Sequence, residues 1–325
     1  MKRSAGMVFV GTSLSYGERQ YASDQTWGSH ENYLVSERLF RKIIEPLEGK
    51  PFSVAIIFAL HLASRQTYTG AGHLQISSAP HGQNLVFWIS PRAAFIIKFS
   101  DTSTTGNRPL INTKNNDHHA IGTWRGARRL HVIAGDMNRS DWSVYLKFGT
   151  TLAVLLALEF STEGETKSFL REIDADNIGI LELLRRGSTP FRGNVEQDAF
   201  SKLLGIQKRI IDFILPKKDF ITEQFPEFER VLASWQGALD SAATASGVFT
   251  ERLDWMIKRC LFEEASGMPV GDFIKIDSIN AMKRLAKLDF AYHRLCHGDL
   301  YEDLLKHRLA ESLYSEGDAS GWVAS

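Results

Sequence analysis

The sequence is poor in cysteine and carries no excess of either charge. Its 325 residues include two cysteines, Cys260 and Cys296, which are too few for a disulfide framework and favour free thiols in a reducing cytoplasm. Lysine and arginine total 38, and aspartate and glutamate also total 38, so the basic excess typical of a nucleic-acid-binding protein is missing. With 43% hydrophobic and 23% charged residues, the composition excludes a disordered tail and a collagen-like repeat.

Long hydrophobic runs are also missing. The most apolar stretch, residues 148–158, lies between Lys147 and Glu159, whereas a membrane-spanning helix needs about 20 residues. Residues 7–10 are too few for the core of a signal peptide. We therefore expect a cytoplasmic protein with no membrane partner, in which residues 148–158 belong to a core helix.

Several common catalytic and cofactor motifs are absent. The sequence has no Walker-type glycine-rich loop, no dinucleotide fingerprint, no Gly-x-Ser-x-Gly elbow and no paired-cysteine zinc site. Any chemistry must therefore be inferred from the polar segments that interrupt the apolar pattern.

The apolar pattern predicts an α/β body followed by a helical subdomain. Runs rich in β-branched and aromatic residues predict strands at residues 7–10, 85–89, 94–99 and 130–134. Apolar periodicity and capping residues predict helices at residues 51–62, 140–160, 166–186, 198–215, 228–242, 249–265 and 279–295, with Gly187 as a C-cap. We expect a sheet domain over residues 1–189 and a helical subdomain over residues 190–325.

One predicted strand carries polar side chains on a single face. In residues 128–138, Arg129, His131 and Ile133 alternate with Leu130 and Val132, so arginine and histidine share one face of the strand. Because an unpaired charge is costly to bury, this pattern is typical of a strand that lines a polar cleft. The simpler alternative is a half-exposed edge strand whose histidine caps a turn.

A second polar segment lies near the N-terminus. If residues 30–32 are extended, His30 and Asn32 point to one face and Glu31 to the other. A His-x-Asn pattern alone is weak, and from composition a surface loop is the simpler interpretation.

Taken together, seven segments occur in an order that identifies a family. They are residues 29–34 (SHENYL), 64–66 (SRQ) with 69–72 (TGAG), 108–113 (RPLINT), 128–138 (RRLHVIAGDMN), 145–151 (YLKFGTT), 253–255 (LDW) and 288–293 (LDFAYH). As an ordered set they resemble the Pup ligase and Pup deamidase/depupylase family, which belongs with the glutamine synthetase-like carboxylate-amine ligases. The resemblance extends from about residue 27 to about residue 305.

This resemblance implies a fold, cofactors and partners. Members of the family bind ATP and magnesium on a curved antiparallel sheet with packed helices, and act on Pup and pupylated proteins of the bacterial proteasome system. The ligase phosphorylates the C-terminal glutamate side chain of Pup, which a lysine amine of the substrate then attacks. The deamidase converts a C-terminal glutamine of Pup to glutamate and hydrolyses the isopeptide bond. The YLK-GTT segment favours the deamidase/depupylase branch; the ligase branch and a non-catalytic Pup-binding relative are the alternatives.

The resemblance also assigns roles to residues. His30 and His131 correspond to metal ligands, and the ATP phosphates or the carboxylate of Pup would be bound by Arg92, Arg108 and Arg129, whose planar forks suit such groups. No catalytic residue is assigned. Further cleft candidates are Glu31, Asn32, Asn112, Thr113, Asp136 and Asn138.

Two parts of the family pattern have no counterpart in this sequence. The family begins with a Gly-x-Glu-x-Glu strand and a following segment whose acids hold magnesium and supply the catalytic aspartate. Residues 11–17 (GTSLSYG) place serines where the glutamates should stand, and Trp322 lacks the context of the family's ATP-contacting tryptophan. The chain therefore corresponds to the middle of a family member. It would be a fragment, a non-catalytic relative, or a protein completed by a separate chain that supplies the missing catalytic segment.

Overall fold

The computed structural model describes residues 28–45, 52–79, 82–103, 108–113, 127–295 and 298–314. The predicted strand at residues 7–10, the GTSLSYG segment, Cys296 and Trp322 lie outside these ranges. Cys260 is a free thiol, as predicted, and it is exposed.

Three two-stranded sheets occur within the described ranges. Strand β1 (Glu31–Ser36) pairs antiparallel with β6 (Ala127–Val132), and β2 (His73–Ala79) pairs antiparallel with β3 (Gly82–Trp88). The pair of β4 (Lys98–Asp101) with β5 (Pro109–Asn112) is parallel, so the expected antiparallel arrangement holds for two of the three pairs. Directly before β5, the backbone of Arg108 has a positive φ of 35°, which changes the direction of the chain.

Helices make up most of the remaining described chain. They are α1 (Glu37–Ile44), α2 (Ser53–Ser64), α3 (Gln66–Thr69), α4 (Asp141–Phe160), α5 (Glu163–Glu172), α6 (Ile180–Gly187), α7 (Asn194–Ile214), α8 (Lys218–Gln224), α9 (Phe228–Thr244), α10 (Asp254–Ser266), α11 (Ile279–Tyr292) and α12 (Leu300–Lys306). Short 3₁₀ turns connect several of them.

Two segments differ from the sequence predictions. The single helix predicted at residues 166–186 is two helices, because a Thr162–Glu165 capping box starts α5 early and Asp174, with a left-handed backbone, ends the run. Gly187, predicted as a C-cap, is the last residue of α6. The strand predicted at residues 94–99 is a 3₁₀ helix, Pro91–Phe95, followed by β4, because proline favours the first helical turn.

Helix α4 runs through the centre of the molecule. Among the described residues it is the one helix that is long and apolar enough to cross a membrane, a test that core helices of soluble proteins also pass. In this fold, 61% of the most apolar 18-residue segment of α4 is buried, as predicted for a core helix. The main apolar cluster contains buried residues from both sides of residue 190, and the division at that residue stays a prediction.

Two buried aspartates attach the C-terminal helices to the rest of the molecule. The Asp254 carboxylate of α10 accepts hydrogen bonds from the backbone N–H groups of Arg139 and Ser140, and from the Tyr292 hydroxyl. In α11, Asp289 forms a fully buried ion pair with Lys258 at 2.5 Å. Since a buried carboxylate needs its full set of donors, both joints tie helix positions to polar groups elsewhere in the chain.

Candidate functional site

The outer surface of the β1–β6 pair collects polar side chains from three strands or their ends. Asn32 lies directly opposite His131 in the strand register, and His30 precedes β1, so both histidines project to the same side. His30 Nδ1 and His131 Nε2 are 3.0 Å apart. Arg129 Nη1 donates to Asn32 Oδ1 at 2.9 Å, and Asn112 Nδ2 lies 3.1 Å from His131 Nδ1. We call these five residues the polar face.

The structure confirms the alternation predicted for this strand from Arg129 to Val132. Leu130 and Val132 are buried, whereas Arg129 and His131 are half-buried on the opposite side of β6. Ile133 lies beyond the end of the strand and is buried, so the outward alternation stops at His131.

The hydrogen bonds indicate a proton arrangement for the imidazole pair. An amide nitrogen donates, so His131 Nδ1 accepts from Asn112 and the ring carries its proton on Nε2. That proton then points at His30 Nδ1. In this arrangement His131 donates to His30.

The three candidate arginines differ in exposure. Arg129 and Arg108 are half-buried, and the Arg108 guanidinium stacks on the Phe95 ring with 5.0 Å to its centroid. Arg92 is buried, donates through Nε to the carbonyl of Ile133 at 2.6 Å, and packs so closely that a Cβ on Gly28 would meet its guanidinium at 2.5 Å. Arg92 therefore forms a wall beside the polar face.

The charge of Arg108 is close enough to Arg92 to affect the pKa of the Arg92 guanidinium. Burial lowers the pKa of Arg92, nearby Asp136 opposes this shift, and the Arg108 charge adds to it. Two guanidinium groups near each other attract an anion more strongly than either would alone.

Glu31, predicted as a cleft residue, faces the interior. It is fully buried, and its carboxylate accepts from Arg65 Nη1 at 2.8 Å, Arg65 Nη2 at 2.5 Å and the Tyr33 hydroxyl at 2.6 Å. Strand alternation is the cause, because His30 and Asn32 point outward and the residue between them must point inward.

Asp136 and Asn138, also predicted in the cleft, hold the backbone beneath it. The buried Asp136 carboxylate accepts from the N–H groups of Ala71 and Arg92, each at 3.0 Å. Asn138 donates to the Thr69 carbonyl and to the Asp254 carboxylate. Both carboxylate oxygens of Asp136 thus have partners within the chain, whereas Asn138 has partners for its Nδ2 and none among the described residues for its buried Oδ1.

Of the remaining two candidates, Asn112 belongs to the polar face and Thr113 follows it. Thr113 is half-buried, and its N–H donates to the carbonyl of Asp101 in β4 at 3.0 Å. The structure thus brings together His30, Asn32, Asn112, Arg129 and His131, with Arg92 and Arg108 near one another.

Two buried cations beneath the face were not predicted as site residues. Arg65 lies at the α2–α3 junction and is fully buried, and Lys147 of α4 is buried with Nζ donating to the Asp136 carbonyl at 2.5 Å. For Lys147 the signal in the sequence is a charged residue within an otherwise apolar helix, which requires a buried partner. Arg65 directly follows the apolar helix α2.

Because Lys147 is buried, we expect the free energy of unfolding to depend on pH. Burial lowers the pKa of Lys147 from its ordinary value of 10.5 to about 8. Between these two pH values the folded state has lost the proton, whereas the unfolded chain still carries it. Stability should therefore rise with pH, by about 1–2 kcal/mol between about pH 8 and 9.5. Urea unfolding at both pH values checks this. Lys147→Met should remove the rise, and the same rise in both proteins would contradict the assignment.

Magnesium does not fit the described residues by themselves. The two imidazole nitrogens are 3.0 Å apart, which matches neighbouring ligands of one ion, but magnesium prefers carboxylate oxygens. Glu31 and Asp136 are turned inward, and within the described ranges no three His, Cys, Asp or Glu side chains are placed to hold a metal. An anion fits better, because the polar face includes the half-buried Arg129 guanidinium.

Comparisons with known proteins agree with the resemblance seen in the sequence. Residues 21–321 match the profile of the family described as Pup-ligase protein. The chain is 28% identical over 309 residues to the Pup–protein ligase of Bifidobacterium adolescentis, covering 92% of this chain and 58% of that protein. It is 34% identical over 297 residues to the Pup–protein ligase of Kineococcus radiotolerans, covering 89% and 57%.

Solved structures show the same fold. The Pup ligase PafA in complex with ADP aligns with a TM-score of 0.61 at 23% identity, covering 93% of this chain and 61% of that one. PafA in complex with Pup aligns with a TM-score of 0.60 at 23% identity, covering 92% and 56%. The predicted α/β fold class is confirmed. The chain spans less than two thirds of the length of these relatives.

The names of these relatives bear on the choice between branches. All four are ligases, which favours the alternative interpretation of the sequence over the deamidase/depupylase interpretation. The preference drawn from residues 145–151 is therefore not supported. In the structure, Lys147, Thr150 and Thr151 of this segment are buried.

Proposed function

This chain belongs to the Pup-ligase family, and from that membership we propose that it acts in the ligase branch, on Pup that ends in glutamate. Pup and the pupylated proteins are its partners, ATP is its cofactor and the cytoplasm its compartment. ATP, when bound, supplies the phosphoryl group that activates a carboxylate. The observation that carries the proposal is the polar face, where Arg129 is held by Asn32 beside the imidazole pair.

The residues of the chain would divide the work of binding. Arg129 and Arg108 would take the negative groups, either the ATP phosphates or the C-terminal carboxylates of Pup, through charge-assisted hydrogen bonds. Asn32 orients Arg129, and Arg92 forms a buried wall. His30 would present its Nε2 edge to the same ligand, and His131, bonded to both His30 and Asn112, would hold that ring in place. A ligase must bind a glutamate side chain, which is charged, whereas a deamidase must bind the neutral amide of glutamine.

This difference in charge yields a direct test. We expect Pup ending in glutamate to bind the purified chain about 5- to 30-fold more tightly than Pup ending in glutamine, the range of about 1–2 kcal/mol for a charge-assisted hydrogen bond. Arg129→Ala should remove most of that preference, because it deletes a guanidinium from the polar face. Fluorescence anisotropy with labelled Pup of each type measures both affinities.

A matched control is available in α6. Arg185 is exposed and pairs with Glu182 on the helix surface, so Arg185→Ala removes the same charge and should leave the preference unchanged. Tighter binding of the glutamine form, with its conversion to glutamate seen by mass spectrometry, would support the deamidase instead. Equal binding of both forms, unaffected by Arg129→Ala, would contradict a role for the polar face in recognising Pup.

A further inference from the structure

The α2–α3 junction holds both segments that carry the imidazole pair. Arg65, the residue between the two helices, binds the Glu31 carboxylate in β1 with two nitrogens. The next residue, Gln66, donates through Nε2 to the carbonyl of Ala134, just beyond β6, at 3.2 Å. One rigid turn therefore contacts the chain beside His30 and the chain that follows His131.

The packing around this ion pair leaves little freedom. A Cβ on Gly135 would lie 2.8 Å from Glu31 Oε1 and 3.2 Å from Arg65 Nη2, so the backbone after β6 is pressed against both charged groups. The Ser29 N–H donates to the Gly135 carbonyl at 2.9 Å, which joins the segment before β1 to the same point. Movement of the pair would move both backbones.

A gain in stability is a weak explanation for the buried ion pair between Glu31 and Arg65. Glu31 and Arg65 are fully buried, and removing two charges from water costs several kcal/mol per ion. Apolar residues of similar volume often replace a buried ion pair with no loss of stability. The bidentate contact between Arg65 and Glu31 is directional, however, so it fixes the orientation of both side chains, which an apolar contact does not.

We propose that Glu31 and Arg65 are positioning residues that set the distance and orientation of His30 and His131 on the polar face. Glu31 is flanked in β1 by His30 and Asn32, so fixing its side chain inward fixes both neighbours outward. The pair acts through the backbone and touches no ligand. The ligand-binding consequence rests on the proposed function, whereas the geometry of the imidazoles does not.

The test replaces the charged pair by an apolar one. In the Glu31→Leu/Arg65→Met double variant, we expect a cooperative fold with a similar midpoint of thermal unfolding but a separated imidazole pair. In the wild-type protein, His131→Ala should shift the ring ¹⁵N signals of His30, because the two rings are in contact. In the double variant that shift should disappear, and the Kd for ADP should rise at least about tenfold.

A second fully buried ion pair among the described residues, Lys258 with Asp289, is the matched control. Lys258→Met/Asp289→Leu also removes two buried charges, but between α10 and α11, so the His30 response to His131→Ala and the ADP affinity should stay as in wild type. If Glu31→Leu/Arg65→Met fails to fold, Arg65→Lys keeps the charge and loses the fork, and should weaken the His30 response in a folded protein.

The outcomes separate this inference from the proposed function. An undiminished His30 response in a folded Glu31→Leu/Arg65→Met or Arg65→Lys protein would overturn the positioning role, whatever the ADP affinity. Loss of the response with unchanged ADP affinity would support the positioning role and would instead contradict nucleotide binding at the polar face.

Discussion

Replacing Asp254 by alanine is expected to lower the free energy of unfolding by about 3–5 kcal/mol. The carboxylate is fully buried and accepts from the N–H groups of Arg139 and Ser140 at 3.1 and 2.9 Å. It also accepts from Asn138 Nδ2 and the Tyr292 hydroxyl, both at 2.8 Å. Alanine leaves these four donors without their acceptor, where α4 begins and where α10 meets α11.

Urea denaturation of the wild type and the variant measures this loss. The control is Asp198→Ala, which removes an exposed carboxylate paired with Lys202 and should cost less than about 1 kcal/mol. Asp254→Asn keeps one acceptor oxygen, so its loss of unfolding free energy should lie between those of Asp254→Ala and Asp198→Ala. A loss near that of Asp198→Ala would mean that the four donors find water when Asp254 is removed.

Replacing Asp289 by alanine is expected to cost a similar amount, about 3–5 kcal/mol, for a different reason. The substitution leaves the Lys258 ammonium fully buried without its carboxylate. It also removes the acceptor of the His73 ring at 2.7 Å and of the Leu74 N–H at 3.1 Å. Burial raises the pKa of Asp289, but the Lys258 and His73 charges outweigh it and hold the pKa well below its usual range.

The cause of this loss can be separated from simple loss of packing. Lys258→Met/Asp289→Leu removes the buried ammonium together with its carboxylate, so much of the stability should return relative to Asp289→Ala. The wild type and both variants are compared by urea denaturation at neutral pH, where Asp289 of the wild type is ionised. If the double variant is as unstable as Asp289→Ala, the unpaired ammonium is not the cause.

These two joints bear on the predicted division of the chain. Asp254 and Asp289 both lie beyond residue 190, yet their partners include Arg139, Ser140 and His73 from the first part. Neither set of helices would keep its buried carboxylates satisfied without the other. We therefore expect residues 190–325 to unfold together with the rest in a single cooperative transition.

Helix positions were predicted where apolar periodicity was continuous. The predictions at residues 140–160 and 228–242 match α4 (Asp141–Phe160) and α9 (Phe228–Thr244) to within two residues. They fail between residues 166 and 186 because a left-handed Asp174 is a local backbone choice that periodicity does not report. The same limit applies where the chain after Ser90 forms a 3₁₀ helix rather than a strand.

By itself, the sequence determined the family and the alternation of β6, because these depend on residue order and on the two-residue period of a strand. The surface loop favoured from composition at residues 30–32 is wrong, because Glu31 begins strand β1. Only the tertiary structure decided which polar residues are available to a ligand. Glu31, Asp136 and Asn138 looked like cleft residues, and all three have partners within the chain. The physical reason is that a carboxylate or amide is satisfied equally well by a ligand or by a partner within the protein. The donors to Glu31 and Asp136 are Arg65 and the Ala71 N–H, and the acceptors for Asn138 are Thr69 and Asp254. These partners come close only when distant segments of the chain pack together.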